Sequence, residues 1–131
     1  MIDFTFNNSV RYGIGALGTV ADKVREFGFV KVGIVVDGNL MEGSEVVANF
    51  VATLQADRSC ITHVYDLDFE PTYRYLDEIS VKFKSDEKSL VDVVLAIGGG
   101  STMDTAKAIA LMCANEGKAL DFRGFPTGLN K

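Results

Sequence analysis

Apolar runs alternate along this chain with stretches in which apolar residues recur at every third or fourth position. The runs predict buried strands over residues 31–37, 61–67 and 91–97. The recurring stretches predict amphipathic helices before, between and after these strands. The apolar positions of the four helices are Leu17, Val20, Val24 and Phe27; Val46, Val47, Phe50, Val51 and Leu54; Tyr73, Leu76, Ile79 and Phe83; and Met103, Ala106, Ile109, Ala110 and Cys113. Such alternation predicts an α/β fold, a Rossmann-like parallel sheet with helices on both faces and ligands at the carboxyl ends of its strands.

Small residues with strong preferences for turns or helix caps mark where several of these elements begin and end. Gly28 ends the first helix, Ser44 caps the second, and Pro71-Thr72 opens the third. Residues 4–7 and 10–12 predict an opening hairpin or a pair of short strands.

The last predicted strand opens into three consecutive glycines, Gly98, Gly99 and Gly100, and Ser101 follows as the start of a helix. Glycines let the backbone come close to an anion, and the unpaired N–H groups and the dipole of the helix stabilise its charge. Ser101 and Asp104 also fit the S-x-x-D pattern, in which a hydroxyl and a carboxylate cap exposed N–H groups. The segment therefore predicts a phosphate cradle.

A second glycine motif lies near the start of the chain. Gly13-Ile-Gly15-Ala-Leu-Gly18 matches the G-x-G-x-x-G fingerprint of dinucleotide-binding proteins. The apolar stretch before it, residues 10–12, is shorter than the strand that this fingerprint normally follows. The motif therefore predicts either a direct phosphate contact or a tight turn into the first helix, and we favour the turn.

Asp37 stands at the carboxyl end of the first buried strand, at about the offset from the Gly13 motif expected of a ribose-binding acid. A carboxylate there can accept hydrogen bonds from both hydroxyls of an adenosine ribose, and it would repel a 2′-phosphate. Asp37 therefore favours NAD over NADP. The same side chain is also suited to an Asx turn with Gly38-Asn39, and the two roles are compatible.

The composition is that of a globular protein, with 47% hydrophobic and 24% charged residues. A length of 131 residues predicts one domain, over residues 1–131. The net charge of −5 argues against nucleic acid or an anionic membrane as a partner. With neither a bilayer-spanning apolar run nor a signal-peptide pattern in the sequence, we expect a cytoplasmic protein with small-molecule partners, and leave a homo-oligomer open.

Cys60, Cys113 and His63 are the other residues whose side chains could carry chemistry. The cysteines are predicted to be buried, reduced thiols, and the single histidine to be structural. We therefore expect neither a catalytic residue nor a metal site in this chain.

The motif Gly98-Gly99-Gly100-Ser101-x-x-Asp104-x-Ala106-Lys107 resembles the signature of the iron-dependent (group III) alcohol dehydrogenases. The resemblance extends from the Phe4 strand through Asp37 and residues 70–72 to the tail. Glycerol dehydrogenases and dehydroquinate synthases share the fold and a looser form of the motif. In the resembling family the glycine loop binds the pyrophosphate of NAD(P), and an acid matching Asp37 binds the ribose.

Two parts of the resemblance leave the roles of single residues open. Glu70-Pro71-Thr72 stands where the family more often has Asn-Pro-Thr, so Glu70 is either a cofactor contact or an acid that favours the start of a helix. Asp104 is expected to be one of the cofactor-binding residues and to cap its helix, and Lys107 to form an ion pair on the helix surface or between domains.

The resemblance implies hydride transfer between NAD and a small alcohol or its aldehyde, with a metal that polarises the substrate oxygen. It implies that Fe²⁺ or Zn²⁺ is held by an aspartate and histidines in a helical C-terminal domain, which we expect to be absent here. The chain would then be the NAD-binding domain of such an enzyme, and inactive by itself. The alternatives are a relative of the glycerol dehydrogenases or dehydroquinate synthases, or a stand-alone nucleotide-binding module without catalysis.

Overall fold

A computed structural model describes residues 9–65, 70–84 and 91–124 of the chain. Three strands form one parallel sheet in the order β2-β1-β3. The strands are β1 (Lys31–Asp37), β2 (Ser59–Tyr65) and β3 (Val93–Ile97), and the helices are α1 (Gly18–Glu26), α2 (Gly38–Gly43), α3 (Glu45–Asp57), α4 (Tyr73–Lys84) and α5 (Gly100–Ala114), followed by a 3₁₀ turn at Ala119–Phe122. This arrangement confirms the predicted α/β fold.

The central strand β1 separates two hydrophobic clusters because its side chains alternate between the faces of the sheet. Val32, Ile34 and Val36 pack with buried residues of α1 and α3. Val35 faces the other way and packs with α4, α5 and Tyr65 of β2. Each of these fully buried aliphatic side chains stabilises the fold by about 1.5–3 kcal/mol relative to exposure. Helices therefore cover both faces of the sheet, as predicted.

Gly33 has a specific packing role on the face that β1 shares with α4. A Cβ atom added at Gly33 would lie 2.8 Å from the ring of Phe83, which is fully buried. The missing side chain therefore lets the α4 aromatic ring pack directly on the backbone of the central strand.

The predicted boundaries of several elements are confirmed. Gly28 follows α1 with a φ of +71°, a conformation that glycine adopts without steric cost. The Ser44 Oγ accepts a hydrogen bond from the Val47 N–H at 3.4 Å, and the Thr72 Oγ1 accepts one from the Tyr75 N–H at 3.2 Å. These hydroxyls satisfy N–H groups at the starts of α3 and α4.

Other boundaries differ from the prediction. Residues 10–12 are irregular rather than a strand, and residues 4–7 lie outside the described part of the chain. β2 begins two residues before the predicted 61–67 span, whose last two residues are also undescribed. The short helix α2 and the 3₁₀ turn were not predicted.

The buried stripe of α5 is also rotated from the predicted one. Its members are Thr102, Thr105, Ala106, Ile109, Met112 and Cys113. Met103, predicted to be on the apolar face, is 45% exposed, and Ala110 is exposed as well. The prediction was wrong here because two threonines, which a hydrophobicity pattern assigns to the polar side, lie on the buried one. No helix in the described ranges is long and apolar enough to cross a membrane.

Candidate functional site at the carboxyl edge of the sheet

The three strands end at the same edge of the sheet. In the register of the sheet, Asp37 is opposite Tyr65, the last residue of β2, and Val36 is opposite Ile97, the last residue of β3. Asp37 therefore lies level with Gly98, the first residue of the glycine loop on the neighbouring strand. This edge brings together the two sequence features that were predicted to bind a dinucleotide.

Two long helices lead away from this edge on opposite faces of the sheet: α3, which follows β1 after the short helix α2, and α5, which follows β3. α3 belongs to the cluster on one face of β1, and α5 belongs to the cluster on the other. Where adjacent parallel strands send their helices to opposite faces, a crevice opens between the strand ends, and ligands of open α/β sheets bind there. The crevice between β1 and β3 is thus the candidate ligand site.

Within the described part of the chain, the start of α5 has no side-chain cap, so only backbone groups form this end of the helix. Gly99 is the N-cap residue, and no side chain of the described residues caps this end of the helix. The first hydrogen bond of the helix runs from the Met103 N–H to the Gly99 carbonyl at 3.0 Å. The N–H groups of the first turn therefore lack side-chain acceptors, and with the helix dipole they favour an anion in front of the helix by about 0.3–1 kcal/mol.

The three loop glycines have different surroundings. A Cβ atom at Gly98 would lie 2.6 Å from the Oγ1 of Thr102, which is only 1% exposed. A Cβ atom at Gly99 or Gly100 would meet no described atom within 4 Å. Gly98 therefore serves close packing of the loop on its helix, whereas the backbone of Gly99 and Gly100 borders open space that a phosphate could occupy.

The predicted capping by Ser101 and Asp104 is wrong. The helix begins one residue earlier than expected, at Gly100, so Ser101 lies inside the first turn instead of preceding it. Asp104 instead forms an ion pair with Lys107 on the exposed surface of α5, with 2.9 Å between Oδ1 and Nζ. This is the helix-surface pairing that was one of the two expectations for Lys107; the cofactor role of Asp104 stays a prediction.

Ser101 instead makes a long-range contact that was not predicted. Its Oγ donates a hydrogen bond to Oε1 of Glu70, 31 residues away, at 3.1 Å. Glu70 precedes α4, so the bond joins the β2–α4 connection to the glycine loop. The one sequence feature that pointed to Glu70 was the acid at a position where the resembling family more often has asparagine.

Asp37 caps α2 at the other side of the crevice. Its Oδ1 accepts hydrogen bonds from the N–H groups of Asn39, at 2.9 Å, and Leu40, at 3.3 Å. This confirms the predicted Asx turn and explains why the unpredicted helix α2 begins here. Both bonds fall on one carboxylate oxygen, so the geometry is compatible with a ligand hydroxyl at Oδ2.

The loop of residues 13–18 forms successive turns into α1. Gly13 and Gly15 have φ values of +139° and +81°, and the Ala16 and Gly18 N–H groups donate to their carbonyls. The N–H groups of the two residues after Gly18 also donate to preceding carbonyls. These donors are therefore engaged within the loop, which supports the tight-turn interpretation over a direct phosphate contact.

The cysteines and the histidine lie in packed surroundings. Cys113 is buried and Cys60 is partly buried, and both are free thiols. Burial raises the pKa of both thiols, with smaller opposing effects from Arg58 on Cys60 and Lys84 on Cys113. Both sulfurs are therefore poor nucleophiles at neutral pH.

His63 belongs to an aromatic cluster on the α4 side of the sheet. Its Nε2 lies 2.7 Å from the hydroxyl of Tyr75, whose ring meets Tyr65 edge-on. These contacts fit the structural role predicted for the histidine.

Comparison with protein families and curated proteins identifies similar sequences. The family model described as "Iron-containing alcohol dehydrogenase" matches residues 7–130. Alcohol dehydrogenase 4 of Schizosaccharomyces pombe is 31% identical over 114 residues, covering 86% of this chain and 26% of the yeast protein. NAD-dependent methanol dehydrogenase of Bacillus methanolicus is 32% identical over 114 residues, covering 86% of this chain and 28% of that protein. The chain thus spans little more than a quarter of the length of these relatives.

A solved structure shares the fold. Sulfoacetaldehyde reductase from Bifidobacterium kashiwanohense, determined in complex with NAD⁺, superimposes with a TM-score of 0.78 at 21% identity. The match covers 99% of this chain and 33% of that protein. The sheet and helices described above therefore recur within a larger known structure.

Proposed function

The chain belongs to the iron-containing alcohol dehydrogenase family, and from this premise we propose that it binds NAD at the carboxyl edge of its sheet. The parent reaction is hydride transfer between NAD and a small alcohol or its aldehyde. The observation that carries the proposal is the start of α5, where an uncapped helix end meets open space at Gly99 and Gly100. A pyrophosphate needs such a combination of free N–H donors, helix dipole and room for its oxygens.

The residues of the glycine loop have different roles in the proposed binding of the pyrophosphate. The N–H groups of the first turn of α5, from Gly100 onwards, would donate hydrogen bonds to the pyrophosphate oxygens, and the absence of a side chain at Gly99 would leave the space that these oxygens need. Gly98 keeps the loop packed on Thr102, so that the donors are held in place before the ligand arrives. When bound, NAD supplies the nicotinamide ring that takes up or gives the hydride; the protein binds it, orients it and limits its motion.

Asp37 is assigned to the adenosine ribose. Its Oδ1 is held by the start of α2, which fixes the carboxylate in the crevice between β1 and β3. A fixed carboxylate can accept from the 2′- and 3′-hydroxyls, whereas a 2′-phosphate would bring a second negative charge against it. We therefore assign NAD, and not NADP, as the preferred cofactor.

The names of the related proteins support this cofactor and this substrate class. The methanol dehydrogenase relative is NAD-dependent by name, and the structurally similar sulfoacetaldehyde reductase was solved with NAD⁺. Their names specify a short alcohol and a short aldehyde. The family match also favours the alcohol dehydrogenase interpretation over a glycerol dehydrogenase or dehydroquinate synthase relative.

The iron implied by the family does not fit the residues described. Within residues 9–65, 70–84 and 91–124, no three His, Cys, Asp or Glu side chains come together as a metal site requires. That Fe²⁺ or Zn²⁺ is held by a separate helical domain stays a prediction, as does the cytoplasmic location; a homo-oligomer stays open.

Calorimetric titration of the 131-residue chain tests the proposal. NAD and ADP should both bind, because both carry a pyrophosphate, whereas adenosine should bind more weakly. NADP should bind more weakly than NAD, because its 2′-phosphate meets Asp37. Absence of saturable NAD binding by a protein with a cooperative thermal melt would contradict the proposed function.

A further inference from the structure

The hydrogen bond between Ser101 and Glu70 lies at the proposed pyrophosphate site. Ser101 is part of the first turn of α5, the helix end that the proposed function gives to the pyrophosphate, and Glu70 is an exposed acid on the connection between β2 and α4. The Ser101 hydroxyl donates to Glu70 Oε1 at 3.1 Å. A negatively charged side chain therefore stands beside the helix end that the proposed function gives to a negatively charged ligand.

From this geometry we propose that Glu70 competes with the cofactor pyrophosphate for the Ser101 hydroxyl. Glu70 is thus a positioning residue that acts through Ser101 and weakens the binding of dinucleotides. The inference rests on the proposed function, since it requires a phosphate at residues 99–101. It gives Glu70 a role in setting how tightly this chain holds its cofactor.

The competition follows from the number of protons on a hydroxyl. Ser101 Oγ carries one proton and can donate one hydrogen bond. While Glu70 accepts that bond, only lone pairs of Ser101 are left for other partners, and lone pairs repel phosphate oxygens. The bond to Glu70 must therefore break before Ser101 can donate to the cofactor.

The charge of Glu70 acts in the same direction. The negative charge of a carboxylate within hydrogen-bonding distance of Ser101 offsets part of the positive electrostatic potential at the start of α5. It also repels a pyrophosphate that approaches the same helix turn. Because Glu70 is exposed, salt screens this repulsion, and the effect of the charge should be largest at low ionic strength.

Substitution of Glu70 by glutamine tests the inference. Glu70→Gln removes the charge, and the new amide can donate to Ser101 Oγ, which frees the hydroxyl proton for the phosphate. NAD and ADP should bind about three- to tenfold more tightly to Glu70→Gln than to the wild type, the range expected for one charge-assisted hydrogen bond near the surface. Adenosine, which has no phosphate, should bind with unchanged affinity. Glu70→Ala removes the acceptor altogether and should change binding in the same direction.

Combining the Glu70 substitution with Ser101→Ala distinguishes competition for the Ser101 hydroxyl from a general effect of the Glu70 charge on NAD binding. There the exchange of Glu70 for glutamine should lose most of its effect on NAD binding, because the contested hydroxyl is absent. The matched control is Glu116→Gln, which removes one negative charge beyond the far end of α5 and should leave NAD binding unchanged.

The outcomes are distinct. Weaker or unchanged NAD binding in Glu70→Gln and Glu70→Ala would overturn the inference and leave the proposed function intact. An equal gain in Glu116→Gln, or an undiminished gain in the Ser101→Ala background, would also overturn it. If neither the wild type nor any variant bound NAD while all melted cooperatively, the proposed function itself would fail, and the inference with it.

Discussion

The backbone of Gly98 lies so close to Thr102 that a single methyl group at Gly98 would come within 2.6 Å of the threonine Oγ1. Thr102 cannot move away freely, because it is 1% exposed and belongs to the buried stripe of α5. The contact couples the end of β3 to the first turn of α5. The conformation of the phosphate loop is therefore set by packing as well as by the flexibility of its glycines.

Gly98→Ala should accordingly destabilise the protein, by about 1–3 kcal/mol, the usual cost of overpacking a close contact. The matched control is Gly100→Ala, where a Cβ atom would meet no described atom within 4 Å. Urea unfolding of the two variants measures the difference. Equal stability of both variants would contradict the packing role of Gly98.

Substitutions at Gly99 and Gly15 should have different effects, because a side chain at Gly99 would fill the space proposed for the ligand, whereas one at Gly15 would strain the backbone. Gly99 has a φ of −81°, which other residues also adopt, so Gly99→Val should leave the fold intact while its side chain fills the space proposed for the pyrophosphate. Gly15 has a φ of +81°, so Gly15→Ala should cost about 1 kcal/mol and lower the melting temperature.

Calorimetric titration with NAD, combined with thermal melts, distinguishes these effects. Gly99→Val should lose NAD binding in a folded protein, and Gly15→Ala should bind normally in its folded fraction. The reverse pattern would move the phosphate site to residues 13–18.

Asp37 can be tested without disturbing α2. Asp37→Asn removes the charge but keeps an oxygen that can accept from the Asn39 and Leu40 N–H groups. NAD binding should weaken by about 1–3 kcal/mol, the typical value of a hydrogen bond to a charged acceptor, and the preference for NAD over NADP should narrow. Parallel titrations of both dinucleotides measure this; an unchanged preference would exclude the ribose role.

Asp92 makes the stability of the sheet depend on pH. Its Oδ2 accepts hydrogen bonds from the Lys31 and Val30 N–H groups, each at 2.8 Å, and these bonds lower the pKa of the carboxyl. A carboxyl with a lowered pKa in the folded state stabilises the fold above its unfolded-state pKa, and this contribution is lost as the pH falls from about 4 through the folded-state value.

Asp92→Asn is the variant that isolates this contribution. Its melting temperature should lie below that of the wild type at pH 7, and the gap should narrow as the pH falls from about 4 through the lowered folded-state pKa of Asp92. A gap that stayed constant over this range would show that the charge of Asp92 does not contribute.

Activity is the remaining test of the function. We expect the purified 131-residue chain to bind NAD weakly and to reduce none of it with short alcohols, even when Fe²⁺ or Zn²⁺ is added, since the family resemblance implies that the metal is held by a separate helical domain. The assay follows NADH absorbance over a series of alcohols. Metal-dependent turnover by this chain would contradict this prediction.

Local patterns in the sequence were sufficient to predict the three parallel strands and the starts of α3 and α4. The span of β1 is the predicted one, because a run of β-branched residues between polar ends has no other stable location than a buried strand. Ser44 and Thr72 were recognisable because capping depends on neighbours three residues away.

Features that depend on tertiary contacts could not be predicted in this way. The buried face of α5 includes Thr102 and Thr105, whose polar hydroxyls give no hydrophobic signal in the sequence. The Ser101–Glu70 bond joins the first turn of α5 to the residue before Pro71, 31 positions earlier in the chain, and no local preference specifies that these two side chains meet. Capping was assigned to Ser101 because its residue type is suitable, but the helix began at the glycine before it.

The two core clusters share no residue with the proposed cofactor site. Asp37, Glu70, Gly99 and Ser101 belong to neither cluster. The clusters instead contain the β1 side chains that precede the carboxyl end of the strand, and these pack against the helices on both faces of the sheet. Substitutions at Glu70, Gly99 and Ser101, and those at Asp37 that keep its cap on α2, should therefore leave the packing of both clusters intact. Cofactor affinity and cofactor choice are thus open to evolutionary change and to protein engineering on a scaffold that tolerates it.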